Sequence, residues 1–279
     1  MSFDLFVFER KETIKTSLDV FFYLETFTEY KEEKDYHSLL GCSDCITNWA
    51  KKMFEKFPPM NGEDAPPDDL AFASEEAEAH LTDYSLGKNG VYCAFSYSVS
   101  EEALTHAKSI ANDCGVGLYN PQSAEAFFGK GLEILKYRTE SQDDSICDWQ
   151  SVTRTIQSLD DPQRGTSYQD AAFITLWFEK DGVKGNYIQC SPKYETTDPA
   201  TPKPVNPSND KLHYFFEIRK GNALYQTIVP DKAKLQDLIK AWCIDRKNPD
   251  ITDCCVCFFC LIEITVVTTK IITLWILKK

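Results

Sequence analysis

"LTDYSLGKNGVYCAFSYSVSEEA", residues 81–103, is the stretch whose reading decides the fold. Aromatic and β-branched residues flank Gly87-Lys88-Asn89-Gly90, and the Asn-Gly pair is read as supplying the positive φ of a tight hairpin turn. Tyr84 to Leu86 and Val91 to Ser98 are therefore predicted strands. In the second, Val91, Cys93, Phe95 and Tyr97 fall on one face and Tyr92, Ala94, Ser96 and Ser98 on the other. Ser100 with Glu101-Glu102 opens a helix that carries Ala103, Leu104, Ala107 and Ile110 on one side and ends at Gly115. Val116 to Tyr119 follows as a strand. The hydroxyls and rings of this stretch are read as hairpin packing, not as an active site.

Upstream, FDLFVFE (residues 3–9) reads as a buried strand. Thr16-Ser17 offers an N-cap to a helix that carries Leu18, Phe21, Phe22, Leu24 and Phe27 and ends near Lys31. Ser43-Asp44 caps another with Ile46, Trp49, Ala50, Met53, Phe54 and Phe57, stopped by Pro58-Pro59. An acid- and proline-rich connector fills residues 60–80. The order of strand, helix pair, strand, strand, helix, strand predicts a split βαβ unit, a ferredoxin-like α/β sandwich, over residues 1–125.

A linker is expected at 126–145, where TESQDDS interrupts the pattern. Residues 146–250 then predict a small antiparallel-sheet domain with flanking helices. Its helices are centred on 149–159 and on Leu235 to Trp242, and its strands on 172–178 and 186–190. A hairpin, LHYFFEIR with ALYQTIV, turns at Lys220-Gly221-Asn222. The expected class is α+β, closed by an apolar tail at 251–279. That tail has three readings: a membrane span over residues 254–277, a β-rich addition to the second sheet, or a segment foreign to the fold. The two charges near its middle, Glu263 and Lys270, weigh against insertion.

The net charge of −13 is unevenly spread. Residues 1–145 hold 27 acidic and 13 basic side chains, net −14; residues 146–279 hold 16 and 17, net +1. An acidic half repels phosphate backbones and attracts basic proteins, so a protein partner is expected and nucleic acid is not. MSFDLFVFER has no basic n-region and carries Asp4 inside its apolar run, so it does not read as a signal peptide. The eleven cysteines are then expected to be reduced thiols of a cytoplasmic protein.

No nucleophile elbow, phosphate-binding glycine loop, dinucleotide fingerprint or His-Glu-x-x-His occurs, and the four histidines stand apart. Cys42-x-x-Cys45 has the spacing of half a zinc site or of a redox pair, but no second Cys-x-x-Cys or paired histidine follows. Cys254, Cys255, Cys257 and Cys260 sit in the apolar tail. Neither metal nor cofactor is expected. Glu63, Asp64, Asp68 and Asp69 lack the alternation and central glycine of a calcium loop, and are expected in partner binding. So are Tyr187, Gln189, Glu217 and Arg219, polar positions on otherwise apolar strands. The best alternative cluster for an enzyme is His80, Asp83, Tyr84 and Asp69.

MSFDLFVFE, FPPMNG (57–62), the 81–103 stretch and CGVGLYNPQS (114–123) together resemble a family of small bacterial proteins without an assigned activity. Members open Met-Ser-Tyr-Asp-Leu and carry Phe-Pro-x-Met-Asn-Gly, Thr-Asp-Tyr-Ser-Ile-Gly and Gly-Val-Gly-Phe. Tyr97 stands where a Trp is usual, and residues 72–79 add acids. The resemblance implies a fold for residues 1–123 and no reaction. YIQC (187–190) and FFEIR (215–219) are faintly similar to sheet domains of immunity proteins from polymorphic toxin systems, which implies binding to a toxin, often a basic one. The expected function is a non-enzymatic, immunity-type binding module, with a membrane-tethered accessory protein as the alternative.

Overall fold

The structure is a computed structural model. It describes residues 2–122, 132–161, 172–193 and 213–249, and the backbone of 125–127 and 255–257. The chain forms two compact units, Met1–Ile134 and Leu135–Lys279.

In the first unit β1 (Ser2–Glu9) is followed by helices α1 (Ser17–Phe27), α2 (Asp44–Phe54), α3 (Asp68–Ala71) and α4 (Glu75–His80). The hairpin of β2 (Asp83–Leu86) and β3 (Gly90–Ser96), helix α5 (Ser100–Cys114), β4 (Val116–Asn120) and β5 (Glu125–Phe127) complete it. The strand order is β2-β3-β1-β4-β5, antiparallel throughout. Its first four strands have the ferredoxin-like split βαβ order, with β5 added at the edge.

The second strand of the hairpin ends at Ser96, and Tyr97–Val99 form a 3-10 turn that leaves Tyr97 exposed instead of in line with Val91, Cys93 and Phe95; α2 ends at Phe54, short of Phe57. Two larger features also differ from the reading of the sequence. First, α1 ends at Phe27 and lies on the opposite face of the sheet from α2 and α5. Phe3, Leu5 and Val7 of β1 pack with Trp49 and Met53 of α2 and Ala107 and Ala111 of α5. The intervening Phe6 instead meets Tyr23 and Phe27 of α1, at ring separations of 5.5 and 5.4 Å. β1 is thus buried on both faces, which is why its apolar run is nearly continuous. Second, neither Asn89 nor the glycines beside it adopt a positive φ. The turn is closed by Gly87 N–H donating to the Gly90 carbonyl (2.9 Å) and Lys88 N–H to the Glu32 carboxylate (2.6 Å). Gly87 is required by close approach: a Cβ there would lie 2.2 Å from the Phe27 ring.

The capping signals read from the sequence are used. Thr16 and Asp19 form a reciprocal capping box on α1, and Ser43 caps α2. Gly115 ends α5 at φ 73°.

In the second unit β6 (Glu133–Thr139), β7 (Ser145–Ile146), α6 (Trp149–Gln157), β8 (Ile174–Lys180), β9 (Val183–Pro192), β10 (Tyr214–Lys220), β11 (Ala223–Val229), α7 (Lys232–Cys243) and β12 (Cys255–Cys257) build a sheet of order β12-β11-β10-β9-β8-β6-β7. The linker expected at 126–145 is therefore not one: it contains β6, and its polar stretch is the β6–β7 turn. The tail boundary also moves, because Cys255–Cys257 pairs antiparallel with Leu224–Gln226. The remainder of the tail, 258–279, lies outside the described residues. Asp181 (φ 50°) and Gly182 (φ 80°) give the β8–β9 hairpin its two positive-φ turn residues. Ile188, Cys190, Phe216 and Ile218 are buried on one face, and the Phe178 ring meets Trp242 of α7 at 5.3 Å.

Candidate functional site

Two polar regions stand out, one on each unit. The first is the connector after α2. That helix ends at Phe54, and past Pro58 the chain returns to the edge strand β2 through a parallel bridge between Pro59 and Thr82. Met60 N–H donates to the Thr82 carbonyl (2.9 Å) and Thr82 N–H to the Pro58 carbonyl (3.0 Å). Both ends of residues 60–82 are thereby pinned to the sheet. Between them Asp68 and Asp69 occupy the first turn of α3, and Glu75, Glu76 and Glu78 that of α4, where the helix dipole favours negative charge. Glu63, Asp64, Asp68 and Asp69 are exposed, and none forms an ion pair among the described residues.

The second region is the face of the seven-stranded sheet opposite Ile188 and Phe216. Register places Thr175 beside Gln189, Gln189 beside Glu217 and Glu217 beside Gln226. The side chains bond in that order. The Thr175 hydroxyl donates to Gln189 Oε1 (2.9 Å), Gln189 Nε2 to Glu217 Oε2 (3.3 Å), and Gln226 Nε2 to Glu217 Oε1 (2.9 Å). Glu217 has no cation partner in this ladder. Burial raises its carboxyl above the usual range, against the opposing hydrogen bond from Gln226. Tyr187, two residues from Gln189, shares the face and pairs with Trp177. Lys184 Nζ stands 3.8 Å over the Trp177 ring and 5.8 Å from that of Tyr187, and Arg219 stands 6.0 Å from Tyr187.

Tyr187, Gln189, Glu217 and Arg219 are thus brought together, whereas Glu63, Asp64, Asp68 and Asp69 belong to the other unit. Reading the sequence missed Thr175, Trp177, Lys184 and Gln226. Their alternation with apolar residues was visible, but their partners depend on register.

The alternative cluster is not assembled. Tyr84 is buried and its hydroxyl donates to the Phe57 carbonyl at 2.8 Å, while Asp83 is exposed on the opposite side of β2. Burial pushes the Tyr84 hydroxyl far above its ordinary value. His80 stacks on Phe57 at 5.1 Å, with Nδ1 2.7 Å from the Glu76 carbonyl and Nε2 3.4 Å from Glu102. Asp69 lies on α3 without a hydrogen bond to this group. Nearby, at the start of α5, a cleft of about 700 Å³ is lined by Lys56, Ser98, Glu102 and His106 among others.

Cys42 and Cys45 are half-buried free thiols. Burial raises both; Lys34, whose ammonium is 3.3 Å from Cys42 Sγ, opposes this at Cys42, and Glu9 adds to it at Cys45. Neither is set up as a thiolate ligand or nucleophile. Among the described residues no cluster of His, Cys, Asp and Glu is arranged to hold a metal, and no helix is long and apolar enough to cross a membrane.

No family model matches the chain, and no curated protein or solved structure is detectably similar to it.

Proposed function

We propose that the chain is a non-enzymatic protein-binding module of the immunity type, whose acidic first unit docks on a basic partner such as a toxin and covers it. The observation that carries this reading is the set of exposed acids Glu63, Asp64, Asp68 and Asp69, without an ion pair among the described residues, on a connector pinned at both ends. Exposed surface acids contribute little to their own fold. They are free to steer a cationic protein and to pair with it on contact.

The test is affinity capture with the wild-type chain and with the Glu63→Gln, Asp64→Asn, Asp68→Asn, Asp69→Asn variant. Captured proteins are then purified for association kinetics. A basic protein retained by wild type and lost by the variant supports the reading, with slower association and a weaker salt dependence for the variant. Identical capture and identical on-rates at low salt refute it.

A further inference from the structure

One edge of the seven-stranded sheet is only partly closed. β10 pairs with every residue of β11 (Ala223–Val229), whereas on the other side of β11 the short strand β12 pairs with Leu224, Tyr225 and Gln226 alone. The two-residue turn Gly221-Asn222 closes on the Lys220–Ala223 pair, so by alternation Ala223, Tyr225, Thr227 and Val229 bond their main-chain groups to β10. Leu224, Gln226 and Ile228 turn theirs outward. β12 answers the first two. Among the described residues no strand pairs with the outer side of β11 at Ile228, whose side chain is 49% exposed. Continuing the β12 register would set Asp253 against Ile228, a carboxylate opposite an apolar side chain, where a matched apolar pair would stabilise the two strands.

We infer that the outer edge of β11 is a strand-addition site for an extended segment of a partner protein, and that residues 255–257 occupy it in cis as a short, replaceable strand. The register fixes the chemistry of the occupant. An antiparallel segment pairing along the whole of β11 bonds the outward groups of Leu224, Gln226 and Ile228 together. It carries apolar side chains opposite Leu224 and Ile228 and a polar one opposite Gln226, whose amide is held by Glu217 at 2.9 Å. Such a segment gains the pairing at Ile228 that β12 does not make. Main-chain hydrogen bonds supply its affinity, and cis occupancy lowers the apparent value in proportion to the fraction of chains whose edge is free. The site belongs to the second unit and does not depend on the role proposed for the acidic connector.

The test uses the full chain and a labelled peptide, Thr-Val-Thr-Gln-Thr-Val-Thr, with a control peptide whose second, fourth and sixth residues are N-methylated and cannot donate to the edge. Binding is read by fluorescence anisotropy. Wild type is expected to bind the peptide about tenfold or more tightly than the control. Cys255→Pro/Cys257→Pro removes the amides through which β12 holds the edge, and should tighten binding about fivefold or more. Ile228→Pro removes an outward N–H without touching the β10 ladder and should weaken binding about tenfold. Ile228→Asp, which keeps the backbone intact, should weaken it as well, and circular dichroism checks that each variant is folded. Binding confined to Cys255→Pro/Cys257→Pro also supports the inference, as complete cis occupancy. Equal affinity for peptide and control, no binding by Cys255→Pro/Cys257→Pro, no tightening by that variant, or binding untouched at Ile228 overturns it. A wild-type dimer in sedimentation velocity that Cys255→Pro/Cys257→Pro dissolves would assign the edge to the tail of a second copy and overturn the partner reading.

Discussion

Gly117→Ala is expected to destabilise the first unit because of one ring. Gly117 of β4 is paired with Phe8 of β1, and a Cβ at 117 would lie 2.3 Å from Phe8 Cζ and 2.7 Å from Cε2. Ordinary carbon contacts are about 3.5–4.0 Å, so the ring must retreat by more than about 1 Å. It has nowhere to go: Phe8 is fully buried and stacked against Phe6 at 6.2 Å. Overpacking of this kind costs about 1–3 kcal/mol, offset by about 0.4–1 kcal/mol from the stiffer unfolded chain that Ala gives. The net loss is about 1–2 kcal/mol, a shift of roughly 0.5–1 M in the urea midpoint for a typical slope. Hydrogen exchange of the β1 amides in urea reads this locally. Phe8→Leu makes room for the added methyl, so the double variant should be no less stable than Phe8→Leu alone, a favourable coupling of about 1–2 kcal/mol. A neutral or stabilising Gly117→Ala, or costs that simply add, would refute the reasoning.

Three further outcomes are expected. Phe95→Ala removes a ring that is 1% exposed and sits 5.5 Å from Phe57 and 6.2 Å from both Phe3 and Tyr84, and should cost about 3–5 kcal/mol by urea unfolding; a loss within about 0.5 kcal/mol would place the 81–103 hairpin outside the core. Because burial raises the Glu217 carboxyl, its ionised form is the one the folded state disfavours. Its contribution to stability is therefore fullest at pH values below the ordinary carboxylate range and is lost as pH rises through the raised value. Glu217→Gln should flatten the melting temperature against pH relative to wild type and equal or exceed wild type at pH 8; parallel curves would show that Glu217 is solvated like a surface acid. Truncation after residue 250 removes β12, a three-residue edge strand, at a cost of about 1–3 kcal/mol in backbone hydrogen bonds, and should leave a folded chain by circular dichroism.

What the sequence made legible, and what it did not, follows from which features are local. Helix caps at Thr16 and Ser43 are decided within a few residues, and both are present in the fold, whereas the helix expected to run to Phe57 before Pro58-Pro59 ends at Phe54. The acids at 63–69 could be placed on a surface connector for the same reason, since nothing about them depends on a distant strand. The Glu217 ladder is different. Alternation alone puts Tyr187 with Gln189 and Glu217 with Arg219, but the joining of the two pairs, and of Thr175 and Gln226 to them, is fixed by register. Register in turn depends on turns such as Asp181-Gly182 and on a long β9–β10 connection whose length carries no pairing information.

The side taken by α1 was nonetheless written in the chain, in residues that read differently once taken together. A strand covered on one face alternates, and FDLFVFE breaks alternation because Phe6 and Phe8 are as apolar as Leu5 and Val7. Phe8 faces Gly90 on β3 and Gly117 on β4, so both neighbours of the extra ring are glycine. A Cβ at Gly90 would come within 3.0 Å of the Tyr23 hydroxyl and 3.2 Å of Phe6, which shows the same space being kept for α1 and the rings beneath it. Asn89-Gly90 was read as a turn signal because glycine commonly serves φ. Here Gly90 serves volume, and the turn is closed by Glu32 and main-chain hydrogen bonds instead. A glycine in a strand pattern beside an apolar run without alternation therefore points first to a close-packed second face, and only then to a turn.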